Sequence, residues 1–101
     1  MNGTTSKAYI ISEVEIADRE AAERYKELAA ASIAAHGGRY VVRGAAPEVL
    51  EGERGDERLV VVEFDDVASA QTWYASPEYA PALTIARRGA LRRRLTLVDG
   101  V

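Results

Sequence analysis

Cysteine is absent from the 101 residues, so the chain has no disulfide scaffold, no thiolate nucleophile and no zinc site built on sulfur. A single histidine, His36, excludes multi-histidine metal centres and paired-histidine acid–base chemistry. No uncharged apolar run approaches the ~18–20 residues that span a bilayer. The polar start, Met1 to Lys7, has neither an apolar segment nor a small-residue cleavage pattern. A cytoplasmic protein without membrane contact is therefore expected. Basic residues are outnumbered, 13 against 16, for a net charge of −3, so general nucleic-acid binding is not expected either. The acidic residues Glu51, Glu53, Asp65 and Asp66 lack the spacing of a calcium loop. No metal and no cofactor is anticipated; a haem would find only His36 as an axial ligand.

What remains is 48% hydrophobic and fits one domain over 1–101, with a disordered tail at 1–6. Residues 8–16 read as a strand rich in β-branched side chains. Asp18 is a suitable N-cap for a helix over 18–36. Ala22, Tyr25, Leu28, Ala29, Ser32 and His36 recur along one face of it, and Gly37-Gly38 ends it. Arg39–Gly44 is a second strand, and Pro47 makes 48–53 an edge continuation. Residues 58–64 form the strongest strand signal, with Leu59–Val62 expected to be central and buried on both faces. A short helix over 67–75 follows Asp65 or Asp66. A second helix starts at Ser76-Pro77-Glu78, turning Tyr79, Leu83 and Ala86 inward, with Pro81 disturbing its first turn and Gly89 stopping it. Residues 91–98 are the last strand. The order β-α-β-β-α-β, with its second helix broken in two, is the α+β ferredoxin-like pattern with an antiparallel sheet.

Helices in this topology cover one sheet face, so side-chain alternation identifies the other. Val60, Val62, Phe64, Leu95 and Leu97 face the helices. Tyr9, Ile11, Glu13, Arg39, Val41, Arg43, Leu59, Val61, Glu63, Arg92, Arg94 and Thr96 fall on the open face, although a one-residue bulge would reverse a strand's assignment. That face combines an apolar patch with a mixed-charge group. Its simplest cover is a second copy related by a two-fold axis, which predicts a homodimer.

The run Ala34 to Gly44 resembles the core motif of the bacterial domain-of-unknown-function 1330 family. So do Glu48-Val49-Leu50-Glu51-Gly52, Val62-Glu63-Phe64, Ala70, Trp73-Tyr74, Ser76-Pro77-Glu78-Tyr79 and Leu97-Val98-Asp99-Gly100. Pro81 and the arginine-rich segment after it depart from the family's pattern. The resemblance implies a dimeric α/β barrel, two ferredoxin-like protomers packed sheet to sheet. Its superfamily includes cofactor-free monooxygenases, lactone isomerases and haem-dependent enzymes.

The candidate chemistry rests on few side chains. Arg43 offers a rigid fork for a carboxylate, enolate or phenolate oxygen; its alternative use is a salt bridge with Glu63 or Glu13. Glu13 and Glu63 would serve as general bases if enclosure raised a carboxyl pKa, and otherwise act as counter-ions to Arg43 and Arg94. His36, at a helix C-terminus, is either a proton-transfer group or a structural residue beside the glycine turn. Trp73, Tyr79, Tyr25 and Tyr9 are candidates to bind a small substrate, against ordinary core packing. The arginines at 87, 88, 92, 93 and 94 read as a solvated surface. The third strand lacks the aromatics that RNA-binding sheets use. The expectation is a homodimer that binds a small oxygenated organic molecule, or performs isomerase- or monooxygenase-like chemistry on it without a cofactor. The rival is a non-catalytic structural dimer or ligand-sensing module.

Overall fold

Alternation is realised along residues 8–14, after which Glu15 and Ile16 are both exposed. In the computed structural model, which describes residues 6–101, strand β1 (Ala8–Ile16) buries Ala8, Ile10, Ser12 and Val14 on one side. The tail expected at 1–6 falls, for 1–5, outside the described residues. Asp18 caps helix α1 (Arg19–Ala35) by accepting from the Ala21 N–H at 3.1 Å. The helix ends where Gly37 adopts φ 75°, a left-handed conformation that costs a β-carbon dearly. Ile33 is buried on its inner face, whereas Leu28 is 37% exposed, so Leu28 does not belong to that face as expected. At Gly38 a β-carbon would lie 2.7 Å from the Phe64 ring and 2.8 Å from Ile33, so glycine is what lets the chain turn tightly into the sheet.

Strand β2 (Arg39–Ala45) pairs with β3 (Arg58–Phe64), β3 with β1, and β1 with β4 (Leu91–Asp99), giving an antiparallel sheet in the order β2-β3-β1-β4. Residues 46–57 form a loop and not the expected edge continuation. Pro47 offers no backbone donor and Gly52 takes φ 87°, both of which oppose an extended ladder. Strand β3 is central as expected but not buried on both faces: Leu59 and Val61, on the open side, are only half-buried.

Helix α2 (Val67–Tyr74) is capped by Asp66, which accepts from the Ser69 N–H at 2.7 Å. Ser76 does cap the following turn, its hydroxyl accepting from the Tyr79 N–H at 3.2 Å. The regular helix α3 (Ala80–Ile85) nevertheless begins later than expected, after a turn at 77–79. Pro81, which has no N–H to give the Pro77 carbonyl, explains the delay. A π-helical turn (Ala86–Ala90) and Gly89 at φ 100° then lead into β4.

The core lies between the helices and one sheet face. Ile10, Ile33, Val62, Phe64, Ala70, Trp73, Tyr79 and Ala82 are buried together there. Trp73 is the hub: its ring centroid is 5.5 Å from Phe64 and 4.2 Å from Tyr79, and its indole N–H donates to Ser32 Oγ at 3.0 Å. No helix among the described residues is long and apolar enough to cross a membrane.

Candidate functional site

A cavity of about 500 Å³ opens between α1 and the helix-facing side of the sheet. Its body is apolar, formed by Ile10, Val14, Ala29, Ile33, Val60, Val62, Trp73 and Leu95. One end is polar. There Arg93, opposite Val14 in the sheet, follows the parity of Leu95 and Leu97 and points to the helices. Its Nη1 donates to Tyr25 Oη at 2.6 Å and its Nη2 to Tyr79 Oη at 2.9 Å, while the two phenol oxygens lie 2.8 Å apart. Tyr25 comes from α1, Tyr79 from the turn preceding α3, and Arg93 from β4, so three elements converge on one hydrogen-bonded triangle. Burial pushes the Tyr79 phenol far above its ordinary pKa, with the Tyr25 oxygen adding to the effect and Arg93 opposing it. For Arg93, burial opposes the charge, but the two phenol oxygens outweigh it and raise its pKa. The guanidinium stays charged.

Arg43 also lines this cavity, and its placement corrects the open-face assignment. The pairing of β2 with β3 slips between Tyr40 and Val42 and again between Arg43 and Ala45. After the first slip Val42 stands opposite Val61 and Arg43 opposite Val60, so Val42 takes the open face and Arg43 the helix face. Val41, the extra residue, is 51% exposed instead of joining the apolar patch. Arg43 pairs with neither Glu63 nor Glu13. Its guanidinium stacks 4.2 Å from the centroid of the Tyr40 ring, whose own phenol pKa is raised by burial. Arg58 and Lys26 complete the lining cations; Arg58 Nη1 donates to the Gly44 carbonyl at 3.3 Å, and Lys26 pairs with Glu23 at 3.1 Å. None of the lining residues is acidic or a histidine.

The remaining candidates lie elsewhere. Glu63 is on the open face, where it accepts from the Tyr9 hydroxyl at 2.7 Å and pairs with Arg39. The Tyr9 hydrogen bond, with help from Arg39, lowers the Glu63 pKa, the opposite of what a neutral-pH base requires. Glu13 shares that face, opposite Leu59 and Arg94. His36 caps α1, where its Nε2 lies 2.8 Å from Glu78 Oε1, and that contact lowers the Glu78 pKa. Neither His36 nor Glu78 lines the cavity. Of the aromatic candidates, Tyr25 and Trp73 line it, Tyr79 stands behind Tyr25, and Tyr9 is on the other face.

Arg93 was hidden by its neighbours: within a run of arginines it reads as surface, and Arg92 and Arg94 are indeed exposed. Its signal is parity with Leu95 and Leu97, which places one arginine of the three on the covered side. No group of His, Asp or Glu among the described residues has the arrangement of a metal site.

An antiparallel four-stranded sheet with its helices on one face defines a ferredoxin-like α+β protein. Residues 7–101 match the sequence profile of the domain of unknown function DUF1330, and the chain belongs to that family. No curated protein matches it. The fold is similar to that of a Rhodopseudomonas palustris protein of unknown function, RPA0582, at 18% identity and a TM-score of 0.76, covering 95% of this chain and 83% of that one. It is also similar to a dimeric ferredoxin-like protein of unknown function from Thermobifida fusca, at 15% identity, TM-score 0.66 and coverage of 99% and 96%. A third similar structure is SnoaB, a cofactor-independent oxygenase from Streptomyces nogalater, at 16% identity, TM-score 0.65 and coverage of 96% and 95%.

Proposed function

We propose that the chain binds a small oxygenated organic molecule in the cavity between α1 and the sheet, acting as a cytoplasmic homodimer. The carrying observation is the cavity's composition: an apolar body of about 500 Å³ ending in the Tyr25–Tyr79–Arg93 triangle, with Arg43 and Arg58 also lining it. Such a site matches a ligand with a hydrocarbon or aromatic body and one oxygen-bearing end. His36, Glu13 and Glu63 lie away from the cavity, which favours binding over acid–base chemistry by those groups.

A second reading is cofactor-independent chemistry on the bound molecule. It is favoured by the likeness in fold to a cofactor-independent oxygenase. In that case the triangle would hold the substrate's oxygen while the substrate's own reactivity drives the reaction.

The dimer rests on the open sheet face. Tyr9, Ile11, Val42, Leu59 and Val61 form an apolar surface that the helices do not cover, and a similar fold occurs in a protein described as dimeric.

The ligand reading is tested by thermal unfolding and calorimetry with aromatic acids, lactones and quinols. A true ligand at a hundredfold excess over its Kd stabilises the protein by about 2.7 kcal/mol. Arg93→Met should remove most of that gain. If no compound of these classes stabilises the wild type, the cavity is not their site.

A further inference from the structure

Counting protons in the triangle identifies what its polar end can recognise. Arg93 donates one hydrogen bond to each phenol oxygen, and the 2.8 Å contact between those oxygens holds one phenolic proton. Two phenols supply two protons, so one is left over. Tyr79 is fully buried and does not line the cavity, and an unpaired hydroxyl proton there would carry a full desolvation penalty. Tyr79 therefore donates to Tyr25. The Tyr25 oxygen then accepts twice, from Tyr79 and from Arg93, which occupies both of its lone pairs. Its own proton is free, and Tyr25 lines the cavity.

We infer that the cavity selects the ionised form of its ligand, a carboxylate, enolate or phenolate whose oxygen accepts the Tyr25 proton. With both lone pairs engaged, Tyr25 can only donate, so a ligand hydroxyl offering a proton finds no acceptor there. The charged groups around the cavity favour the same form. Arg93 and Arg43 have no carboxylate partner among the described residues; Arg58 bonds a carbonyl; Lys26 alone is paired, with Glu23. Arg93, which directs one N–H of each terminal nitrogen to a phenol, and Tyr79, behind Tyr25, are positioning residues for the Tyr25 proton: they fix its direction and strengthen it as a donor. This inference rests on the cavity being a ligand site.

The test uses 4-nitrophenol, whose anion and neutral form absorb at different wavelengths, titrated against pH with and without the protein. In the wild type the bound probe should ionise at least one pH unit lower than the free probe, because its anion binds tenfold or more tightly than its neutral form. Tyr25→Phe should still bind the probe but lose most of that displacement. Tyr79→Phe should keep most of it, since Tyr25 still donates. Far-ultraviolet circular dichroism and Trp73 fluorescence verify that each variant is folded, and the wild-type comparison of the two probe forms decides the matter without any variant. A probe that binds with unchanged ionisation overturns the inference and leaves the proposed function standing. An undiminished displacement in Tyr25→Phe overturns the role of Tyr25. Binding of neither form by the wild type removes both the inference and the reading beneath it.

Discussion

The two faces of the sheet use the same side chains to opposite ends. On the open face, Tyr9 donates to Glu63 and Arg39 pairs with the same carboxylate, so phenol, cation and anion neutralise one another. On the covered face, Arg93 meets two phenols and no carboxylate. Arg39, whose side chain is 49% exposed, thus has a carboxylate partner, whereas the half-buried Arg93 has none. Burying an ion without a counter-ion opposes stability. A charge left unneutralised in an apolar cavity is poised for an anion that arrives from outside. On the proposed reading, stability and recognition fall to different sides of one layer of strands.

The largest effect that would separate the faces is on assembly. Val61→Glu places a charge at the centre of the open face, and in the proposed homodimer does so in both copies. It should reduce the mass in sedimentation equilibrium from two chains to one while circular dichroism stays that of a folded protein. A wild type that sediments as a single chain at micromolar concentration would break the assignment of that face.

Trp73→Ala probes the covered face instead. Losing the ring at the hub of Phe64, Tyr79 and Ser32 should cost about 3–5 kcal/mol in urea unfolding. A loss below about 1 kcal/mol would show that the core does not depend on this packing.

The contrast between the arginines is smaller but specific in sign. Arg93→Met replaces an uncompensated half-buried charge with an apolar chain and should leave stability unchanged or raise it slightly, while weakening ligand binding. Arg39→Met removes a partly exposed ion pair and should lower stability by roughly 0–1 kcal/mol. If Arg93→Met proves the more destabilising, the triangle is chiefly a structural brace.

The smallest effect concerns pH. The Tyr9 hydrogen bond, followed by Arg39, depresses the Glu63 pKa in the folded state below its ordinary 4.5. Its stabilisation is therefore present above 4.5 and lost as pH falls through the folded value. Tyr9→Phe should make the acid-side decline of stability shallower. The decline should persist, because Asp66, through Ser69, and Glu78, through His36, are depressed as well. An unchanged acid limb in Tyr9→Phe would mean that this contact has no thermodynamic weight.

Much of the architecture is written in local pattern. The N-cap at Asp18, the stop at Gly37, strand β3 and the alternation of β1 follow from side-chain period and capping chemistry, and the structure reproduces them. The site was less legible because it depends on register. Period-two reasoning puts Arg43 on the open face, and a single extra residue at Val41 reverses it. The same reasoning puts Arg92 and Arg94 on the open face, which leaves Arg93 on the covered side with Leu95 and Leu97, but the run of arginines as a whole reads as surface. The phenol pair could not be read at all, since Tyr25 and Tyr79 are 54 positions apart and meet only through tertiary packing. His36, conspicuous as the sole histidine, proved to tie α1 to the turn before α3, where rarity carries no chemical weight.

The irregular pairing of β2 has a second effect, on how the protein avoids its own kind. Strand β2 is at the edge of the sheet, and a straight edge is a template on which another chain can add a strand and begin to aggregate. Its two register slips and the left-handed Gly44 spoil that template over a span of seven residues. The opposite edge, β4, is regular but carries three consecutive arginines that repel an identical neighbour. The slip that turns Arg43 towards the cavity therefore also blunts an edge that could otherwise grow into a fibril.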